Sequence, residues 1–339
     1  MINLISDTVT KPNAEMLAFM MKAEVGDDVF GEDPTVNDLE TFSAALFGKE
    51  KAIFCPSGTM TNQIAIKCHT QPLDEVICDH YSHVYQYETG GYAFNSGVAM
   101  NLIEGRNGKV TASQVEAAIK PVYDWLPISK LVVLENSCNK GGGSYYTKEE
   151  IHPISQLCRN RGLKLHLDGA RLFNVLVETG ESTREIGELF DSVSICISKG
   201  LGAPVGSLLI GEADLIRQAR RYRKVMGGGM RQAGYLAAAC KYALTHNIDR
   251  LKVDNQKAKD LGDLLSTLPY VKTVRPVKTN IVIFDLVEPL TADQFLEVMK
   301  TEHIIGSAFG PKTVRFVTHL DYTDEMHGKV LDVLGKVNL

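Results

Sequence analysis

Apolar and β-branched residues gather in short runs at Lys51–Cys55, Glu75–Asp79, Val98–Ile103, Leu131–Glu135, Leu163–Asp168 and Ser192–Ile197. Runs that are apolar at nearly every position, rather than at every second one, predict strands covered on both faces. Between them the spacing turns helical. Thr111-Ala-Ser-Gln114 and Thr147-Lys-Glu-Glu150 match the capping box, in which a hydroxyl and an acidic or amide side chain satisfy the free amides at a helix start. Strands that alternate with helices need crossover connections, which favour a mainly parallel sheet with helices on both sides. A further strand is expected at Val205–Ile210, after a glycine-rich turn. From Glu212 to about Thr267 the pattern is helical and alanine-rich, broken at Gly227-Gly-Gly229. Beyond Pro269, strands are expected at Lys272–Arg275, Asn280–Leu286 and Thr313–Thr318, interleaved with helices that begin near Thr291 and Thr323. That mixture predicts a small α+β domain over residues 251–339 behind a large α/β domain over residues 1–250. There is no internal repeat or polar linker.

Composition narrows the function. Among 339 residues, 36 Lys+Arg against 41 Asp+Glu leave a net charge of −5, without the basic excess that nucleic-acid binding requires. The longest apolar stretches fall far short of the roughly 20 residues of a membrane helix. The N-terminus shows no cationic segment followed by an apolar one, so no export signal is expected. Seven scattered cysteines form no Cys-x-x-Cys pair, which fits free thiols in a reducing cytoplasm.

Three segments carry chemistry. Cys55-Pro-Ser-Gly-Thr-Met-Thr-Asn62 stands where a strand gives way to a helix. There Ser57, Gly58 and Thr59 offer hydroxyls and free amides to an anion, as an ordinary strand-to-helix turn also would. Without a dinucleotide glycine motif or a P-loop, one phosphate is the natural ligand. Leu165-His-Leu-Asp168-Gly-Ala-Arg171 ends a strand with an acid, at the sheet edge where open α/β folds bind ligands. Asp168 could accept from a protonated ring nitrogen and Arg171 could grip a carboxylate, or the pair could be a helix cap with a surface cation. His166 and Asp168 alone are too sparse for a metal site. Ile195-Cys-Ile-Ser198-Lys199-Gly-Leu-Gly places a lysine at the end of a buried strand, where desolvation can make its amine a Schiff-base nucleophile.

In chain order, these segments resemble the L-threonine aldolases of the pyridoxal-phosphate-dependent β-eliminating lyase family. The resemblance also rests on Leu4-Ile-Ser-Asp-Thr-Val-Thr-Lys-Pro12, Gly26-Asp-Asp-Val-Phe-Gly31, Asp33-Pro-Thr-Val-Asn37, His83 and Gly227-Gly-Gly-Met-Arg-Gln232, so it runs through nearly the whole chain. It implies an aspartate-aminotransferase-like fold (fold type I) whose mainly parallel sheet has seven strands. It implies homotetramers built from dimers, with active sites at the dimer interface to which the segment 1–35 contributes. It further implies retro-aldol cleavage of L-threonine or L-allo-threonine, a small-molecule amino-acid substrate, to glycine and an aldehyde. Carried over by position, Lys199 anchors pyridoxal phosphate, Asp168 pairs with the ring nitrogen and His83 stacks on the ring. Ser57, Gly58, Thr59, Arg171 and Ser198 fall at cofactor contacts, and Ser6, Arg171 and Arg315 at substrate-carboxylate contacts. Lys224 and Arg231 are expected near the site.

One position departs from the pattern. Relatives carry a histidine about ten residues before the Glu of Leu-Glu-Asn, and counting back from Glu135 gives Trp125, the chain's single tryptophan. An indole donates one hydrogen bond but takes no proton. Either a loop shift brings another group there, or Trp125 lines the pocket for the β-substituent and the base role falls to His83 and water. Another fold-type-I enzyme, an aminotransferase or a β-eliminating lyase, would use the same lysine, aspartate and arginines; a catalytically idle cofactor-binding homologue is the remaining alternative.

Overall fold

All seven apolar runs of the N-terminal two thirds meet in one sheet. The computed structural model describes residues 1–337. After a two-residue strand β1 (Ile2–Asn3), the sheet is built from β2 (Lys51–Cys55), β3 (Asp74–Asp79), β4 (Ala99–Ile103), β5 (Ile128–Glu135), β6 (Lys164–Gly169), β7 (Ser192–Cys196) and β8 (Ser207–Gly211). Their order is β2-β8-β7-β6-β5-β3-β4. Only β8 pairs antiparallel, against both β2 and β7, so the other six strands run one way and present their carboxyl ends at one edge. Six strands are apolar because both faces are covered; β4 differs, lying at the edge with only Ile103 buried.

The capping boxes at Thr111 and Thr147 open helices Ala112–Ala118 and Lys148–Arg161. The alanine-rich region folds as three helices, Ala213–Val225, Gly234–His246 and Leu251–Leu265. Beyond it, β9 (Val271–Val274), β10 (Ile281–Leu286), β11 (Ile304–Ile305), β12 (Ser307–Ala308) and β13 (Thr313–Val317) alternate with helices Ala292–Thr301 and Asp324–Lys336. Four of these strands form an antiparallel sheet ordered β12-β13-β10-β9.

Two large apolar clusters result, one around the main sheet and one around Phe284, Phe295 and Phe316. Ile2 and Leu4 pack into the second cluster, and β1 pairs parallel with β11. The chain's first residues are therefore anchored on the C-terminal unit, and the residues that follow them reach the carboxyl edge of the main sheet. No helix among the described residues is long and apolar enough to cross a membrane.

Candidate active site

The carboxyl edge of the sheet gathers most of the residues singled out from the sequence. Asp168 ends β6 opposite Glu135 at the end of β5. Both are buried. Asp168 Oδ2 accepts from Asn62 Nδ2 at 2.9 Å, and Oδ1 from the Ala170 amide at 3.3 Å. No lysine, arginine or histidine forms an ion pair with Asp168 among the described residues. Burial, reinforced by the charge of Asp168, pushes the Glu135 carboxyl up to about 7. Two enclosed carboxylates side by side are therefore short of one cation, which a protonated ring nitrogen would supply.

Lys199 follows β7 by three residues and is tied to the N-terminal segment through its carbonyl, which accepts from Thr10 Oγ1 at 2.8 Å. Beneath it lies Cys196. Burial raises that thiol, but the charge of Lys199 and the hydrogen bond with Ser198 outweigh it, so the net shift is downward. Opposite them, helix Gly58–His69 begins with Ser57 as its cap, Oγ accepting from the Met60 amide at 3.2 Å. The Gly58 and Thr59 amides lie in the first turn, where a helix has no internal acceptor for them. The buried Ser207 hydroxyl has no partner, and it lies 3.6 Å from where a Cβ on Gly58 would stand. An orphaned hydroxyl beside free amides fits a phosphate. A cleft of about 820 Å³ runs from Ser57 and Thr59 past Glu88 to Phe94 and Met226.

His83 opens a one-turn helix beyond β3. Its amide donates to Glu135 Oε2 at 2.9 Å, and its Nδ1 meets Glu88 Oε1 at 2.9 Å. Burial alone would lower the imidazole's proton affinity; the Glu88 bond and the charges of Asp168, Glu88 and Glu135 raise it above the ordinary value. His83, Glu88 and Asp168 bring ligand atoms within 4.8 Å of one another. The Asn62 amide donates to both carboxylates and ties them together.

The arginines are placed differently from the simple fork expected of them. Arg171 is buried, and its Nε and Nη2 are both taken by Asp7 at 2.7 Å. Burial opposes ionisation of Asp7, but the charge and bonds of Arg171, the charge of Lys199 and the Asn280 bond hold it down to about 2. Nη1 and the second N–H of Nη2 are left for a ligand. Arg315 donates from Nη1 to Asn139 Oδ1 at 2.9 Å and from Nη2 to the Ile5 carbonyl at 3.0 Å, while its buried Nε has no partner. Burial and the neighbouring Arg171 charge bring it down to about 10, still cationic at neutral pH. Ser6 stands between Ile5, which Arg315 bonds, and Asp7, which Arg171 bonds, with its Oγ accepting from the Thr8 amide and hydroxyl and leaving its own proton free. Two guanidinium groups face one paired carboxylate, Asp7, and the buried, unpartnered Arg315 Nε can donate to an anionic ligand.

Three predicted residues are not brought here by this chain. Lys224 lines a separate hollow of about 590 Å³ with Asp28, Phe30, Arg220 and Arg223. Arg231 pairs with Asp27 at 2.8 Å beside Phe30. Trp125 stands on the loop before β5, 76% exposed and stacked on Tyr123 with ring centres 4.8 Å apart. β5 runs from Ile128 to Glu135, roughly 23 Å at the rise of an extended chain, and Trp125 lies on the loop before its start. Within the chain, Trp125 therefore does not line this pocket. Conversely, Asp7, Asn62, Glu88, Glu135 and Asn139 were not singled out from the sequence. Asp7 and Asn62 stood inside the quoted motifs; nothing in the sequence marks Glu88.

Comparison with known proteins places this geometry. The family model described as beta-eliminating lyase matches residues 3–289. The low specificity L-threonine aldolase of Escherichia coli is 42% identical over 331 residues, covering 97% of both chains. Among solved structures, a threonine aldolase from Leishmania major superposes with a TM-score of 0.86 at 22% identity, covering 99% of each chain. A serine palmitoyltransferase from S. paucimobilis with bound PLP-myriocin gives 0.76 at 16% identity, over 98% of this chain and 86% of its own.

Proposed function

The chain belongs to the beta-eliminating lyase family, and from that premise we propose that it is a pyridoxal-phosphate-dependent aldolase cleaving L-threonine and related β-hydroxy-α-amino acids to glycine and an aldehyde. The observation that carries the reading is the buried, cation-deficient Asp168 at the strand edge it shares with Lys199 and the start of helix Gly58–His69. Lys199 would hold the cofactor covalently, Asp168 its ring nitrogen, and Ser57, Gly58, Thr59, Ser198 and the orphaned Ser207 hydroxyl its phosphate side. Bound there, pyridoxal phosphate supplies an electron sink conjugated to the substrate bond that breaks.

The chain's own residues decide which bond that is. Arg315 Nε, Arg171 Nη1 and the Ser6 hydroxyl hold the substrate carboxylate, fixing the orientation about Cα. Asp168 would accept from the protonated ring nitrogen, and a carboxylate beside that nitrogen favours retention of its proton. His83, oriented by Glu88, takes the β-hydroxyl proton as the Cα–Cβ bond opens. Lys224, Arg231 and Trp125 are assigned to the site of a partner subunit in a homotetramer built from dimers. Exposed Phe30, Phe94, Trp125 and Val225 support burial against a second copy.

The test is product analysis with L-threonine and L-allo-threonine, without any keto acid. Equal amounts of glycine and acetaldehyde are expected. Ammonia with a keto acid would assign elimination instead, and dependence on a keto-acid acceptor would assign transamination.

A further inference from the structure

His166 lies two residues before Asp168 on β6, so the two side chains share one face of the sheet. It is fully enclosed, with Nδ1 at 2.8 Å from Ser192 Oγ and Nε2 at 3.1 Å from Asn62 Oδ1. The Asn62 amide nitrogen is 2.9 Å from Asp168 Oδ2 and 2.9 Å from Glu88 Oε1. Ser192 Oγ in turn lies 2.8 Å from His69 Nε2, beside a surface hollow.

One direction of donation satisfies every contact. Two carboxylate oxygens can be met only by the NH₂ end of Asn62, so its oxygen must face His166, and His166 Nε2 must carry the hydrogen. Nδ1 is then an acceptor and takes the Ser192 proton, which leaves the serine oxygen to accept from His69. With the other His166 tautomer, the amide would turn its oxygen toward two negative groups. The imidazole does not escape this choice by ionising: burial, helped by neighbouring His69, holds His166 down to about 3. His69 is likewise held down to about 4 by burial, against the opposing charge of Asp191.

We propose that His166 and Asn62 are positioning residues for Asp168: the His166 tautomer fixes the orientation of the Asn62 amide, whose two N–H groups keep Asp168 and Glu88 aligned as acceptors. The role rests on the functional reading above, because Asp168 is held for a protonated ring nitrogen. It also links that acceptor to the proton-transfer side, since Glu88 is the partner of His83. A buried histidine that merely fills space would need no fixed tautomer.

The test uses protein labelled with 15N-histidine, with and without pyridoxal phosphate, and His166→Gln to assign the resonance. The Nε2–H tautomer of His166 is expected from pH 5 to 9 in both forms. His166→Leu should weaken pyridoxal phosphate binding by about tenfold, the low end for outer-layer partners at metal sites, and displace the pH at which the visible band changes. His166→Gln keeps a donor at the Nε2 position and should stay within about threefold on that scale. An Nδ1–H tautomer, an imidazole that titrates across this range, or a Leu variant with unchanged affinity and pH profile overturns the proposal. Should the Leu variant fail to fold, the tautomer of the unmodified protein decides. A protein that binds no pyridoxal phosphate overturns the functional reading; the cofactor-free tautomer still answers for the amide orientation.

Discussion

Arg171 is not the wholly free clamp that its position in the sequence suggests, because Asp7 occupies the Nε–Nη2 edge of its guanidinium and leaves only the Nη1–Nη2 edge to a ligand. The pair holds the guanidinium rigid and leaves the catch of the substrate carboxylate to Arg171 Nη1 and Arg315. Asp7→Asn should therefore cost the cofactor-free protein about 3 kcal/mol, the low end for unpairing a buried charge, measured by urea unfolding. The sign with pH follows from linkage. The folded Asp7 carboxyl is depressed to about 2, so its stabilisation is present above the ordinary value of 3.8 and lost as pH falls through 2; the Asn variant should lack that part of the acid transition. Arg315→Lys should raise the KM for threonine tenfold or more, about 1.4 kcal/mol, because a lysine cannot meet Asn139, the Ile5 carbonyl and the substrate together. Glu88 raises the proton affinity of His83. A base must be neutral to act, so activity rises as pH passes the His83 value, and Glu88→Gln should move that limb to lower pH in a kcat profile.

At the scale of elements, the phosphate side is one helix start and its cap. Ser57→Ala should destabilise the cofactor-free protein by about 1 kcal/mol, the usual worth of a serine cap, and also weaken pyridoxal phosphate binding; loss of stability with unchanged binding would leave Ser57 a cap alone. This element was legible in the sequence, as were the seven strands, both capping boxes and the strand-end positions of Asp168 and Lys199, because each is written in local periodicity. What was hidden depends on contacts between distant positions. Asn62 meets Asp168 across 106 residues and Arg171 meets Asp7 across 164, and no local pattern encodes such pairs. Counting back from Glu135 to Trp125 crosses the whole of β5, so within one chain the two residues lie at opposite ends of that strand.

For the molecule as a whole, the chain brings Lys199, Asp168, His83, Arg171 and Arg315 to one edge but leaves Lys224, Arg231 and Trp125 outside. In the proposed dimer these complete the partner's site. Mixing Lys199→Ala subunits with Lys224→Ala subunits in equal amounts, each nearly inactive alone, should restore up to about a quarter of the unmodified protein's activity, with one intact site in each hybrid dimer, if the two residues serve one site from different chains; no recovery would place Lys224 outside the chemistry. Trp125→His should alter the relative rates on threonine, allo-threonine and phenylserine without changing cofactor affinity. The claim beneath all of this is that Lys199 anchors the cofactor beside Asp168. Borohydride reduction of the purified protein with pyridoxal phosphate, followed by peptide mapping, tests it most directly. The account predicts one reduced pyridoxyl group per chain, on Lys199, and none on the Lys199→Ala protein; a modification on another lysine, or an undiminished yield in the variant, would contradict it.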